Sequence, residues 1–142
     1  MKLYLTDDVG KNISGYETIP VKNGDIDLSH FVNNSCEEIL FTAGIEKVEV
    51  SNFQKVLNEI LSKMRIGCKL VISGIDLEVL SRYVINGSVN TSQYAELIKD
   101  KNFISSLSDI RAILNSVGLK INSANIKDIH YEISATREKV SN

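Results

Sequence analysis

The sequence predicts an open α/β fold: a mostly parallel sheet with helices on both faces, closed at its carboxyl-terminal end by an antiparallel hairpin. Three observations predict it. Segments with the two-residue period of strands alternate with segments of helical period along the whole chain. The last two strand-like stretches, Leu119 to Ile126 and Ile129 to Ala135, are separated only by a turn at Asp128, which favours a hairpin. Hydrophobic residues at 43% and charged residues at 24% give the ordinary globular balance, so disorder, collagen-like repeats and coiled-coil arrays lack compositional support. At 142 residues the chain has the size of one domain, spanning residues 1–142.

Lys2 to Leu5 is a short β-rich start. Thr6 to Gly15, with Asp7, Asp8, Gly10, Asn12 and Gly15, is too rich in turn residues for a helix. Tyr16 to Val21 resumes strand character around Pro20, a residue that suits a strand end or a sheet edge. Asp25 to Leu28 reads as a brief strand, and Cys36 to Phe41 as a buried one. Phe53, Val56, Leu57, Ile60, Leu61 and Met64 then fall on one face of a helix, with Ser51 as its N-cap and Gly67 at its stop. Lys69 to Ser73 is a strongly apolar strand, Leu77 to Ile85 a short helix and Asn86 to Ser92 a polar loop, with a helical turn at Tyr94 to Ile98. Ser108 to Val117 is a helix capped by Ser108 and ended by Gly118. The apolar runs Ile39 to Phe41 and Leu70 to Ile72, flanking the Phe53 to Met64 helix, mark the expected core.

Charge excludes several functions. Sixteen Lys and Arg against eighteen Asp and Glu leave a net charge of −2, which gives no electrostatic ground for nucleic-acid or anionic-membrane binding. No apolar run is long enough to span a bilayer, and Met1 to Leu5 breaks into Thr6-Asp7-Asp8 too soon for a signal peptide, so a cytoplasmic protein is expected. Cys36 and Cys68 are too few for a disulfide framework and read as packed thiols. His30 and His130 are far apart, without zinc spacing, so no metal is expected.

The stretch Met64-Arg65-Ile66-Gly67-Cys68-Lys69-Leu70-Val71-Ile72-Ser73, preceded by the helix with Val56-Leu57-Asn58-Glu59-Ile60 and followed by Asp76, resembles the class I S-adenosylmethionine-dependent methyltransferases. There a "L-K-P-G-G-x-L" turn leads into the fifth strand of a seven-stranded sheet. The resemblance covers nearly the whole chain. Gly15 to Ile19 looks like that family's second strand and Asp27-Leu28 like its "D-L" after strand three. Asn34 to Ile39 looks like its "N-S-F-D-x-I" entry to strand four, and Val117-Gly118-Leu119 like its "L-x-x-A-G-F" before the closing hairpin. It implies a three-layer Rossmann-like methyltransferase fold and a cofactor site for S-adenosylmethionine built from Asp7, Asp8, Gly10, Asp27, Leu28 and Thr42. Asp7 or Asp8 would pair with the amino group or sulfonium, and Asp27 would accept from the adenine amino group. Thr42, Gly44 and Glu46 would stand on the acceptor side.

The sequence also departs from that family. Its glycine-rich "G-x-G" turn after strand one, where a missing Cβ lets the backbone approach the cofactor, is here Leu5-Thr6-Asp7-Asp8-Val9-Gly10, with Gly10 alone remaining. The acid that would bind the ribose at the end of strand two falls on or beside Pro20, and the link between the first two strands is too short for the usual helix. Two functions therefore stand side by side. One is a small methyltransferase, its acceptor a small molecule or otherwise unspecified. The other is a non-catalytic binding or assembly module of the same fold, with Val9 or Ile13 turned inward over the strand ends; either could form homo-oligomers. A general nucleotide-binding protein is weaker, since neither GxGxxG nor GxxxxGK[ST] occurs.

Overall fold

The computed structural model describes residues 1–8 and 10–139. Six strands form one sheet: β1 (Lys2–Thr6), β2 (Glu17–Pro20), β3 (Cys36–Phe41), β4 (Met64–Ile75), β5 (Lys120–Lys127) and β6 (His130–Thr136), in the order β2-β1-β3-β4-β6-β5. β2, β1, β3 and β4 run parallel, whereas β6 is antiparallel to both β4 and β5. The α/β class, the mostly parallel sheet and the carboxyl-terminal hairpin are thus as the sequence predicts. Helix α1 (Val50–Lys63) joins β3 to β4, and α2 (Leu77–Ile85), α3 (Thr91–Ile98) and α4 (Leu107–Ser116) lie between β4 and β5.

Alternation along the strands decides where the core sits. Leu3, Leu5, Ile39, Phe41, Leu70, Ile72, Ile133 and Ala135 are buried on one face. There they meet Val56, Leu57 and Ile60 of α1, Ile110 and Leu114 of α4, and Ile26, Leu28 and Phe31 from the link after β2. The expected core around β3, β4 and α1 is the observed one. Tyr4, Val71 and Ser134 have the opposite parity and are also buried.

Several boundaries differ from the expectation for identifiable reasons. Helix α1 is capped at Glu49 rather than Ser51, and it ends at Lys63 because Met64 is already extended. Gly67 is therefore not a helix stop. It stands inside β4 at φ +88°, where Met64 pairs with Cys36 but Lys69 pairs with Glu38, so that extra residues of β4 bulge out. Arg137 fills the corner: its Nη1 donates to the carbonyls of Leu61 and Met64 at the end of α1, and its backbone exchanges hydrogen bonds with Gly67 and Cys68. The cap of α4 is Ser106, not Ser108, its hydroxyl accepting from the Asp109 N–H. Helix α3 begins at Thr91, three residues before the expected Tyr94, because Asn90 and Gln93 form a capping box.

No strand forms at Asp25 to Leu28. Lys22 and Asp25 instead close a two-residue turn over Asn23 and Gly24, both at positive φ, with reciprocal backbone hydrogen bonds. The free edge of β2 explains why nothing extends the sheet there. The Val21 N–H donates to Thr6 of β1, so its neighbour Pro20 faces outward, and Pro20 has no N–H to offer another strand.

Candidate functional site

In open α/β sheets ligands bind outside the carboxyl ends of the strands, at the point where strand order reverses. Here that point lies between β1 and β3, because the chain passes from β1 to β2 on one side and then returns to β3 on the other. Asp7 and Asp8 follow β1 and are exposed; Thr42, Ala43 and Gly44 follow β3 and are half-buried or buried.

The two connections do not splay apart. The Asp7 N–H donates to the Ala43 carbonyl at 3.2 Å, which carries the β1–β3 ladder past the strand ends. Gly44, at φ +114°, packs so closely on this contact that a Cβ there would lie 2.9 Å from the Asp7 nitrogen and 3.2 Å from Cγ2 of Val21. The glycine that matters for close approach at this point is thus Gly44, and what it approaches is the chain itself. Asp8 closes its own turn: its N–H donates to Oγ1 of Thr6, and its Oδ1 accepts from the Gly10 N–H at 3.0 Å. The segment between β1 and β2 contains no helix among its described residues. Ile13 does not fold inward, being 36% exposed, and Val9 lies outside the described residues.

Of the six residues assigned to the cofactor, Asp7, Asp8 and Gly10 stand together after β1, with Asp7 bonded to the residue that follows Thr42. Asp27 and Leu28 stand elsewhere. The Leu28 side chain is wholly buried in the core. Asp27 is exposed; its Oδ1 accepts from both the hydroxyl and the N–H of Ser29, which holds its carboxyl below the usual aspartate range. It lines a cleft of about 730 Å³ between the outer edge of β2 and the link that follows, together with Asp25, His30 and Asn52, and neither Asp7 nor Asp8 contributes to that wall.

Glu46, in the short 3-10 turn Ile45–Lys47, occupies the neighbouring position. Its Oε2 accepts from the Ile75 N–H at the end of β4 at 3.2 Å. Burial pushes its carboxyl up, opposed by that hydrogen bond and by the charges of Lys101 and His130, while Asp7 adds to the rise. The same turn is held by Asn102, whose N–H donates to the Glu46 carbonyl and whose Nδ2 donates to that of Lys47, each at 2.7 Å. The sequence carries no sign of Ala43 or Asn102 at this site: one acts through its backbone, the other from 55 residues away. Glu37 pairs with Arg65 at 3.1 Å, while burial and the neighbouring Glu38 carboxylate push the Tyr16 hydroxyl up to about 12.

The sequence matches no protein-family model and no curated protein. Solved structures do match. A SAM-dependent methyltransferase from Archaeoglobus fulgidus superposes over 96% of this chain and 85% of its own, with a TM-score of 0.63 and 11% identity. An O-methyltransferase family protein from Burkholderia thailandensis matches 99% of the chain but only 44% of its own length, with a TM-score of 0.63 and 10% identity. The 1,6-didemethyltoxoflavin-N1-methyltransferase of the same organism, solved with S-adenosylhomocysteine, gives 87%, 52%, 0.56 and 11% for the same four measures. The chain therefore has the Rossmann-like methyltransferase fold, and it spans about half the length of the two Burkholderia proteins.

Proposed function

We propose that the protein is a non-catalytic module of the methyltransferase fold, a binding or assembly unit that does not hold S-adenosylmethionine in the crevice where the fold would place it. The observation that carries this reading is the closure between β1 and β3. The Asp7 N–H is bonded to Ala43, and a Cβ on Gly44 would run into the Asp7 nitrogen and Val21, so beside Gly44 the close approach that a glycine permits is taken up by the chain itself and not offered to a cofactor. The chemistry of the remaining residues points the same way. The glycine-rich turn is replaced by Thr6-Asp7-Asp8, Pro20 stands near the place of the ribose-binding acid, and Asp27 lies in a cleft that Asp7 and Asp8 do not share. Methyl transfer relies on holding donor and acceptor in line rather than on a fixed set of catalytic side chains, so loss of the cradle removes what the fold would contribute.

Isothermal calorimetry and thermal shift with S-adenosylmethionine and S-adenosylhomocysteine test this. No saturable heat and no stabilisation at millimolar ligand are expected, since any ligand bound by the native state alone would raise its stability. Saturable binding of either compound would overturn this reading, and its weakening by Asp7→Ala or Asp27→Ala would tell which of the two separate places holds the ligand.

A further inference from the structure

Helix α2 has two apolar faces, and only one of them is used. Val79 and Leu80 point inward and are buried, whereas Leu77, Val84 and Ile85 are 42%, 41% and 84% exposed. Leu77, Ser81 and Ile85 follow one another at four-residue spacing, with Val84 alongside, so they make a continuous outer stripe with a small residue at its middle. Glu78 and Arg82 run along one flank of that stripe, both exposed, and neither has an ion-pair partner among the described residues.

We infer that α2 is the contact of a symmetric homodimer, in which two copies of the helix pack antiparallel about a twofold axis passing Ser81. This deepens the assembly reading given above and rests on it. The sequence of the helix is self-complementary under that operation. A perpendicular twofold brings residues equally distant from Ser81 on either side against each other, so Leu77 of one copy meets Ile85 of the other. Because the axis keeps each flank on its own side, Glu78 of one copy lies only about 3 Å along the helix axis from Arg82 of the other, an offset that these long side chains can span, twice over. The occupant that satisfies both the stripe and the flank is a second copy of this chain. Ser81 has no bulk to hold the helix axes apart, which lets Leu77 and Ile85 reach across. A nine-residue helix buries less than the roughly 1,200–2,000 Å² of a standard stable interface, so the dimer is weak and concentration-dependent.

Sedimentation equilibrium of the full chain from micromolar to near-millimolar concentration tests the inference, with circular dichroism confirming that each variant stays folded. The mass of the parent is expected to rise from one chain toward two, and added salt to weaken the association. Ile85→Asp abolishes it. Glu78→Arg and Arg82→Glu each weaken it about tenfold or more by setting like charges within reach of each other, and the double reversal restores it. A parent that stays monomeric throughout, a dimer indifferent to Ile85→Asp, or a double reversal no better than the single ones would overturn the proposal. Those outcomes leave the cofactor calorimetry untouched, so the two readings fail separately.

Discussion

Glu46 holds its proton more tightly in the folded chain than in the unfolded one, because burial disfavours the carboxylate more than the Ile75 N–H, Lys101 and His130 favour it. Between the ordinary glutamate value and the raised folded one, the native state therefore binds more protons than the unfolded state. Its stability falls as pH rises through that interval. Glu46→Gln keeps an acceptor for Ile75 and removes the titration. Urea unfolding is expected to find it at least as stable as the parent at pH 7 and to lack the parent's gain on mild acidification; a parent with a flat profile there would contradict this. Deeper in the molecule the effects are those of packing. Leu70→Ala should cost about 2 to 5 kcal/mol, since the wholly buried side chain leaves a cavity when truncated. Cys36 and Cys68 are both free and buried, and burial pushes the Cys68 thiol up to about 12. Thiol reagents should therefore label neither residue in the native protein and both in urea, with labelling following global unfolding.

At the level of elements, Asp76 ties the starts of α2 and α4 together. It is almost wholly buried; its Oδ1 accepts from the Val79 N–H at 3.0 Å to cap α2, and its Oδ2 accepts from the Leu107 N–H at 2.8 Å at the start of α4. Asp76→Ala removes both contacts and should cost about 2 kcal/mol or more, at roughly 1 kcal/mol per cap, whereas Ser106→Ala removes one cap and should cost about half as much. Equal losses in denaturation would show that Asp76 acts on one helix alone. These elements also show what sequence can reveal about structure. The limits of α2 and the end of α4 were legible because local chemistry sets them. At the latter, Gly118 takes φ +84° and the N–H groups of Leu119 and Gly118 return to the carbonyls of Leu114 and Asn115. The early start of β4 was not legible, because it depends on the distant Arg137, and a glycine just after an amphipathic run looks the same in a bulge as in a helix stop.

For the whole molecule, the mostly parallel sheet and its closing antiparallel hairpin were legible from the succession of periods, since parallel neighbours need crossovers and hairpins do not, whereas the order of the strands was not. The inward turn expected of Val9 or Ile13 does not occur at Ile13, and Val9 lies outside the described residues; the contact found between the ends of β1 and β3 joins Asp7 to Ala43 beside Gly44. Backbone groups have no letter of their own in a sequence, so a ladder that continues for one more bond leaves no trace there. The outer rim of β2 shows the converse: one residue, visible at once as Pro20, leaves that edge short of a donor. Exposed strand edges recruit further chains by lending them a row of donors, and this edge is missing one where a recruit would begin. Concentrated solutions of the parent should accordingly resist fibrillar growth from that side. Pro20→Thr, which restores a donor and adds a β-branched side chain, should shorten the lag of thioflavin-detected aggregation; an unchanged lag would mean that the edge is guarded by something other than its proline.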